Sequence, residues 1–211
     1  MDTGFSLLAL FTMGGVFMWP LLAFSIAAVA LVIERTAYLC YHNLHVDDLE
    51  QSVRTYFAAN DIAGACEYLR ALTKKRIGAR VLLALAQSAH MDEHRLEKAV
   101  EVEAVTSINT LENGCDFLTA IASLAPLTGF LGTVSGMIGA FKSIAEATEV
   151  NAQIVANGIY EALITTVFGL IIAIVAITAH SIITHVIDRF AANAERTCSI
   201  LIAELSKKAQ K

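Results

Sequence analysis

The stretch FLTAIASLAPLTGFLGTVSGMIGAF, residues 117–141, lies between Asp116 and Lys142 and runs 25 residues without a charge. A hydrocarbon core of ~30 Å is crossed by about 20 apolar residues in helix, so this stretch reads as a membrane span. Two others match it. No charge falls between Asp2 and Glu34, and the best window is Met13 to Ile33. Between Glu161 and Asp188 the only ionisable groups are His180 and His185. The first span reads as a membrane helix rather than a signal peptide, because it lacks a basic leading region and a small-x-small cleavage site. Pro20 inside it is tolerated in a membrane helix.

Composition agrees. Of 211 residues, 56% are hydrophobic and 17% charged, and the mean hydropathy is +0.60. A soluble domain is nearer ~25% charged. The net charge of -5 argues against nucleic acid, whose phosphates need clustered Lys and Arg. Cys40, Cys66, Cys115 and Cys198 are scattered with no metal-ligand spacing.

Orientation follows from Lys and Arg. The 34–116 loop carries Arg35, Arg54, Arg70, Lys74, Lys75, Arg76, Arg80, Arg95 and Lys98. The tail carries Arg189, Arg196, Lys207, Lys208 and Lys211, whereas the 142–160 hairpin has only Lys142. The expected layout is a periplasmic N-terminus (1–12), a first span (13–33) and a cytoplasmic helical loop (34–116). A second span (117–141), a periplasmic hairpin (142–160), a third span (162–187) and a cytoplasmic helical tail (188–211) follow. Within the loop, Asp47 and Asp61 are candidate helix caps, and Lys74, Lys75, Arg76 and Gly78 suggest a turn near lipid headgroups. From Asp92 the pattern holds no Pro and one Gly, which predicts one long helix running straight into span two. The fold class is thus an all-α integral membrane protein with three transmembrane helices, spans two and three extending as long helices into a cytoplasmic helical domain.

On a helical wheel, Ala122, Ala125, Gly129, Gly132, Thr133, Gly136 and Gly139 share an arc of about 120° on span two. Span three has its own stripe with Gly158, Ala162, Thr165, Thr166, Gly169 and His180. Small residues let membrane helices approach closely. Packing within one chain is the plain reading; a polar path or a groove for a second helix is the functional one. Ion pathways normally use intramembrane Asp, Glu, Lys or Arg. No span has one at its middle, and Glu161 sits at the outer mouth of span three. The chain reads as a shell around a partner that supplies the acid.

LAPLTGFLGTVSGMIGAF (124–141) and IYEALITTVFGLIIAI (159–174) resemble the two signature stretches of the MotA/TolQ/ExbB proton-channel family. GGVFMWPLLAFSIAAVALVIERTAYL (14–39) resembles the first membrane helix of its ExbB-type members. The resemblance implies an ion-driven unit of the bacterial inner membrane. Its shell is a homopentamer around a dimer of an ExbD/TolR-like single-span partner carrying an essential membrane Asp. It couples proton motive force to a TonB-like transducer and outer-membrane transport. The resemblance also assigns Thr133 and Thr166 to the ion path, with the adjacent Thr165 counted among its residues, Glu161 to its periplasmic entrance and Pro126 to a kink in span two. The pair Thr165–Thr166 resembles sodium-driven relatives, so H⁺ is the expected coupling ion with Na⁺ the alternative. Gly129, Gly132, Gly136 and Gly169 are the expected packing residues, and the stripes are expected to join subunits.

Other classes fare worse. A MotA-type stator has four spans. A solute transporter needs inverted repeats or broken helices. His180 and His185, with only Asp188 near, make a poor metal or catalytic set, so no enzyme, metal or cofactor is expected. A TolQ-like role in the Tol-Pal envelope system is the alternative within the family.

Overall fold

A computed structural model describes residues 11–146 and 152–209. The first ten residues of the expected N-terminal segment, the middle of the expected hairpin (147–151) and the end of the tail with Lys211 lie outside the described residues. The helices are α1 (Met18–Tyr41), α2 (Asp47–Ala58), α3 (Ile62–Leu72), α4 (Ile77–Ser88), α5 (Glu93–Glu112), α6 (Cys115–Glu146) and α7 (Ala152–Ala209). No strand occurs among the described residues. Three of these helices are long and apolar enough to cross a membrane: α1, α6 and α7. The expected fold class holds, and α7 carries span three and the tail as one helix of 58 residues.

The chain divides into two compact units. One comprises the residues up to Ile33 together with Gly114–Ser181. Here α1 starts at Met18, later than the expected Met13, and runs beyond Ile33 to Tyr41. The cause of the late start is the Gly14–Gly15 pair: Gly15 takes φ +66°, a conformation that breaks a helix and suits glycine. Pro20 therefore falls in the first turn of α1, where its missing N–H leaves no intrahelical bond unmade. At the other end, Glu34 and Arg35 pair at 2.7 Å and the Arg35 guanidinium lies over the Tyr38 ring.

The second unit comprises Glu34–Asn113 and the chain from Ile182 onward. Its core gathers Leu49, Val53 and Phe57 of α2, Leu69 of α3, Leu82 and Leu85 of α4, and Ile187 and Leu201 of α7, all buried. Burying a side chain of this size contributes ~1.5–3 kcal/mol, so α2, α3 and α4 are held with the tail largely by this burial. Arg54 reaches Glu204 at 2.7 Å, and Thr197 donates to Glu50 at 3.2 Å, so α2 runs alongside the tail.

Three local expectations change. Asp47 is not a cap: α2 begins at Asp47, and the capping position is Val46, which is buried. A carboxylate already inside the helix helps through the dipole instead, with Asp48 and Glu50 in the same first turn. Asp61 does cap, its Oδ1 accepting from the Gly64 N–H at 2.8 Å. The turn at 73–75 forms, but Gly78 belongs to α4, where a Cβ would lie 3.0 Å from Val46. Arg76 turns to Asp48, with contacts of 2.7 and 3.0 Å from its two terminal nitrogens. The long helix expected from Asp92 into span two breaks. Asn113 adopts φ -52°, ψ 124° and Gly114 φ 90°, the geometry of a type II turn whose third residue must be glycine. The one glycine in the pattern was the breaker.

Candidate functional site

The site grows out of the way α6 meets α7. The two small-residue stripes face each other within one chain. A Cβ at Gly169 would lie 2.6 Å from the Ala125 carbonyl oxygen, and one at Gly129 would lie 2.7 Å from that of Thr165. Further along, a Cβ at Gly136 would sit 3.1 Å from Ala162, and one at Gly158 would sit 2.6 Å from Ala140. As the contacts advance along α6 they retreat along α7, so the helices are antiparallel with their backbones close. Without a hydrophobic drive in lipid, close van der Waals contact and interhelical hydrogen bonds carry such packing. Gly129, Gly132, Gly136 and Gly169 are thus engaged inside the protomer, and the expected use of these stripes between subunits is replaced by a hairpin contact. Gly139 alone of that face has open space around it.

Three threonines lie on this seam. The Thr133 and Thr166 hydroxyls hydrogen-bond each other across the two helices. Thr133 also donates within reach of the Ala162 carbonyl at 3.1 Å, and Thr166 within reach of that of Gly129 at 3.2 Å. Thr165 points elsewhere. It is 1% exposed, its hydroxyl lies 2.8 Å from the Ala162 carbonyl and 3.2 Å from that of Gly129, and it fills the place a side chain at Gly132 would take. Three hydroxyl protons share two carbonyls and one another. Thr133 and Thr166 are half-buried, so part of each side chain stays accessible from outside the seam. Thr165 has no such opening. Successive helical residues point about 100° apart, so the tandem threonines serve two environments.

Pro126 lies inside α6, one turn before Gly129. It has no N–H for the Ala122 carbonyl. Glu161 lies one turn before Thr165, about 6 Å along the axis at 1.5 Å per residue. It lines a cavity of about 310 Å³ together with Ser135, Gly139, Ser143, Gly158 and Phe17. No ion pair to Glu161 occurs among the described residues. Its carboxylate packs directly on Gly15, where a Cβ would collide with Oε1. The Gly14–Gly15 bend thus builds one wall of this mouth. Sequence reasoning had not connected it with Glu161, although a Gly-Gly pair ahead of an apolar run is a turn signal.

Outward, Phe130, Ile138 and Phe141 of α6 and Leu163, Val167 and Ile174 of α7 are exposed. No Asp, Glu, Lys or Arg lies in the membrane-depth stretches between Asp116 and Lys142 or between Glu161 and Asp188. Around Thr133 and Thr166 the chain presents hydroxyls and carbonyls, and the ionisable side chains within these stretches are His180 and His185, toward the Asp188 end.

Comparison with known proteins places this geometry in context. Residues 69–196 match the model of the MotA/TolQ/ExbB proton channel family. The ExbB-like 1 protein of Synechocystis sp. is 34% identical over 194 residues, covering 86% of this chain and 74% of that protein. The biopolymer transport protein exbB1 of Vibrio cholerae is 28% identical over 189 residues, covering 87% and 81%. The Tol-Pal system protein TolQ of Haemophilus influenzae is 40% identical over 84 residues, covering 40% and 37%.

Proposed function

The chain belongs to the MotA/TolQ/ExbB proton channel family, and from that premise we propose that it is the ExbB-like shell subunit of an ion-driven unit in a bacterial inner membrane. Five copies surround a dimer of an ExbD/TolR-like single-span partner, and the partner's membrane Asp carries the proton past Thr133 and Thr166. Glu161 collects the ion at the periplasmic mouth. The N-terminus lies outside and the tail in the cytoplasm. The work is delivered to a TonB-like transducer. No catalytic step on a covalent bond is assigned to it.

The observation that carries this reading is the Thr133–Thr166 pair, half-buried and oriented by two backbone carbonyls, at a depth where the chain has no carboxylate. A bare carboxylate there is costly, at least ~2.5–3.5 kcal/mol on insertion scales. Hydroxyls facing it lower that cost each time the partner's Asp ionises. The test is ion flux in proteoliposomes. The chain with its single-span partner should conduct protons under an imposed potential, and the chain alone should conduct few. Full conductance by the chain alone would end the shell reading.

A TolQ-like role has its own support in the 40% identity to the Haemophilus TolQ segment. Deletion strains separate the two. Loss of TonB-dependent uptake favours the ExbB-like role, and a leaky outer envelope with intact uptake favours the TolQ-like one. Flux that requires Na⁺ at fixed pH would replace H⁺ as the coupling ion.

A further inference from the structure

The second unit carries a groove and a ridge that fit each other. The groove, of about 490 Å³, lies between α5 and the α7 tail, with Val100, Ala104, Ile108, Phe190 and Ala194 on its floor. Burial pushes the Cys198 thiol beneath it up to about 12, so that wall is uncharged. Its rim is acidic: Glu93, Glu97 and Glu101 follow at four-residue steps along one face of α5, and Glu195 stands on the tail side. All four are exposed. Glu101 pairs with Lys98 of its own helix and Glu93 accepts from Ser206. Among the described residues Glu97 and Glu195 form no ion pair.

The ridge is the opposite side of the same tail. Taking Arg189 as 0°, Asn193, Arg196, Ile200 and Lys207 fall within about 40° of it, while the groove side of the tail is centred near 200°. Arg189, Asn193, Arg196 and Lys207 are exposed, and none of the three cations forms an ion pair among the described residues. Exposed Ile182 and Val186 extend the face.

We propose that the ridge of one copy of this chain seats in the groove of the next, its cations against the neighbour's glutamates. Groove and ridge are different surfaces, so the contact is head-to-tail and propagates around a ring if the rotation closes. This rests on the ring assembly proposed above and supplies its cytoplasmic contact. The register follows from symmetry. A rotation about the membrane normal leaves every residue at its own height, so the incoming Arg196 arrives at the level of the receiving chain's Arg196. Since Glu93 meets Ser206 while Ile108 lines the groove with Phe190, α5 runs antiparallel to the tail. That level is therefore near Val102 of α5, one residue past Glu101 on the rim, with Glu97 about one turn further along. Lys207 arrives near Glu93, and Ile200 over the apolar floor.

Native mass spectrometry of the full chain in detergent, with a photo-cross-linking benzoylphenylalanine at Asn193, tests this. Reversing the rim (Glu97→Lys with Glu101→Lys) or the ridge (Arg196→Glu) should lower the assembled fraction more than about ten-fold, since like charges then face each other. The triple variant should recover assembly, because both surfaces change sign together. The cross-link should join Asn193 of one copy to residues 101–109 of another. A wild-type monomer would overturn both the ring and this contact. An assembled wild type whose reversed variants stay assembled, or whose adduct falls elsewhere, would overturn the contact alone.

Discussion

At the scale of single residues, Thr133, Thr166 and Thr165 separate into two roles. The first two are half-buried and share a hydrogen bond across the seam, while the third is enclosed. Thr→Val keeps the shape and removes the hydroxyl. The carbonyls of Gly129 and Ala162 can keep their helical bonds, so the loss is about that of one hydrogen bond, ~0.5–1.5 kcal/mol. Thr133→Val and Thr166→Val should therefore leave the amount of folded protein nearly unchanged and cut partner-dependent flux severely, with Thr→Ser retaining most of it. Parallel losses of flux and folded protein in all variants would identify these residues as packing only. Thr165→Val should instead lower thermal stability with flux per folded protein preserved. The wheel put all three threonines on or beside the small faces. What it lacked was the partner face, because periodicity orients a helix about its own axis and says nothing of what lies opposite. A second residue-scale test concerns Asp48. The hydrogen bond and charge of Arg76 hold its carboxyl below the usual range, outweighing desolvation. A lowered folded pKa means stability present above the ordinary value of 3.8 and lost as pH falls through the folded one. Asp48 is largely exposed, so the effect stays within ~0.2–1 kcal/mol. Asp48→Asn should be less stable than wild type at pH 7 and equal to it near pH 2; a constant difference across that range would rule out the ion pair as its source.

At the scale of elements, the packing of α6 on α7 depends on atoms that cannot yield. Opposite Gly129 and Gly169 stand backbone carbonyls rather than flexible side-chain ends. Gly129→Leu or Gly169→Leu should force the helices apart at a cost of at least ~1–3 kcal/mol. The expected result is a protein that still inserts but melts well below wild type, whereas Gly139→Ala, which has open space, should melt unchanged. Equal melting of all three would mean the helices do not meet along this seam. Elements were legible where composition alone decides them: three apolar stretches, a capped α3, a tail continuous with span three. They were less legible where one backbone conformation intervenes. Gly114 reads as a tolerated glycine in a long polar-apolar helix pattern, and only its φ of 90° after an extended Asn113 turns it into a break. Gly15 hides in the same way inside an uncharged run. A glycine's sequence signal is permission for positive φ, and the surrounding packing decides whether it is used.

At the scale of the whole molecule, the distribution of charge and the distribution of cysteines make one argument. Fourteen of the fifteen Lys and Arg lie in the 34–116 loop and the tail, and the exception is Lys142 in the hairpin. The positive-inside rule supports the proposed orientation, in which those two regions share the cytoplasm and the hairpin lies outside. Cys40 near the end of α1 is exposed, Cys66 is half-buried, and Cys115 and Cys198 are buried. Thiol reactivity depends on access and on the thiolate fraction, so Cys40 is the natural reporter for the inside. Ser143 is exposed at the hairpin end of α6, and Ser143→Cys supplies a reporter for the outside. In intact spheroplasts a membrane-impermeant maleimide should label Ser143→Cys and leave the wild-type chain dark. After lysis Cys40 should label while Cys198 stays slow, its thiol held protonated by burial. Labelling of Cys40 in intact spheroplasts would invert the topology. It would also move Glu161 to the cytoplasmic mouth and reverse the direction in which Thr133 and Thr166 are offered to the driving ion.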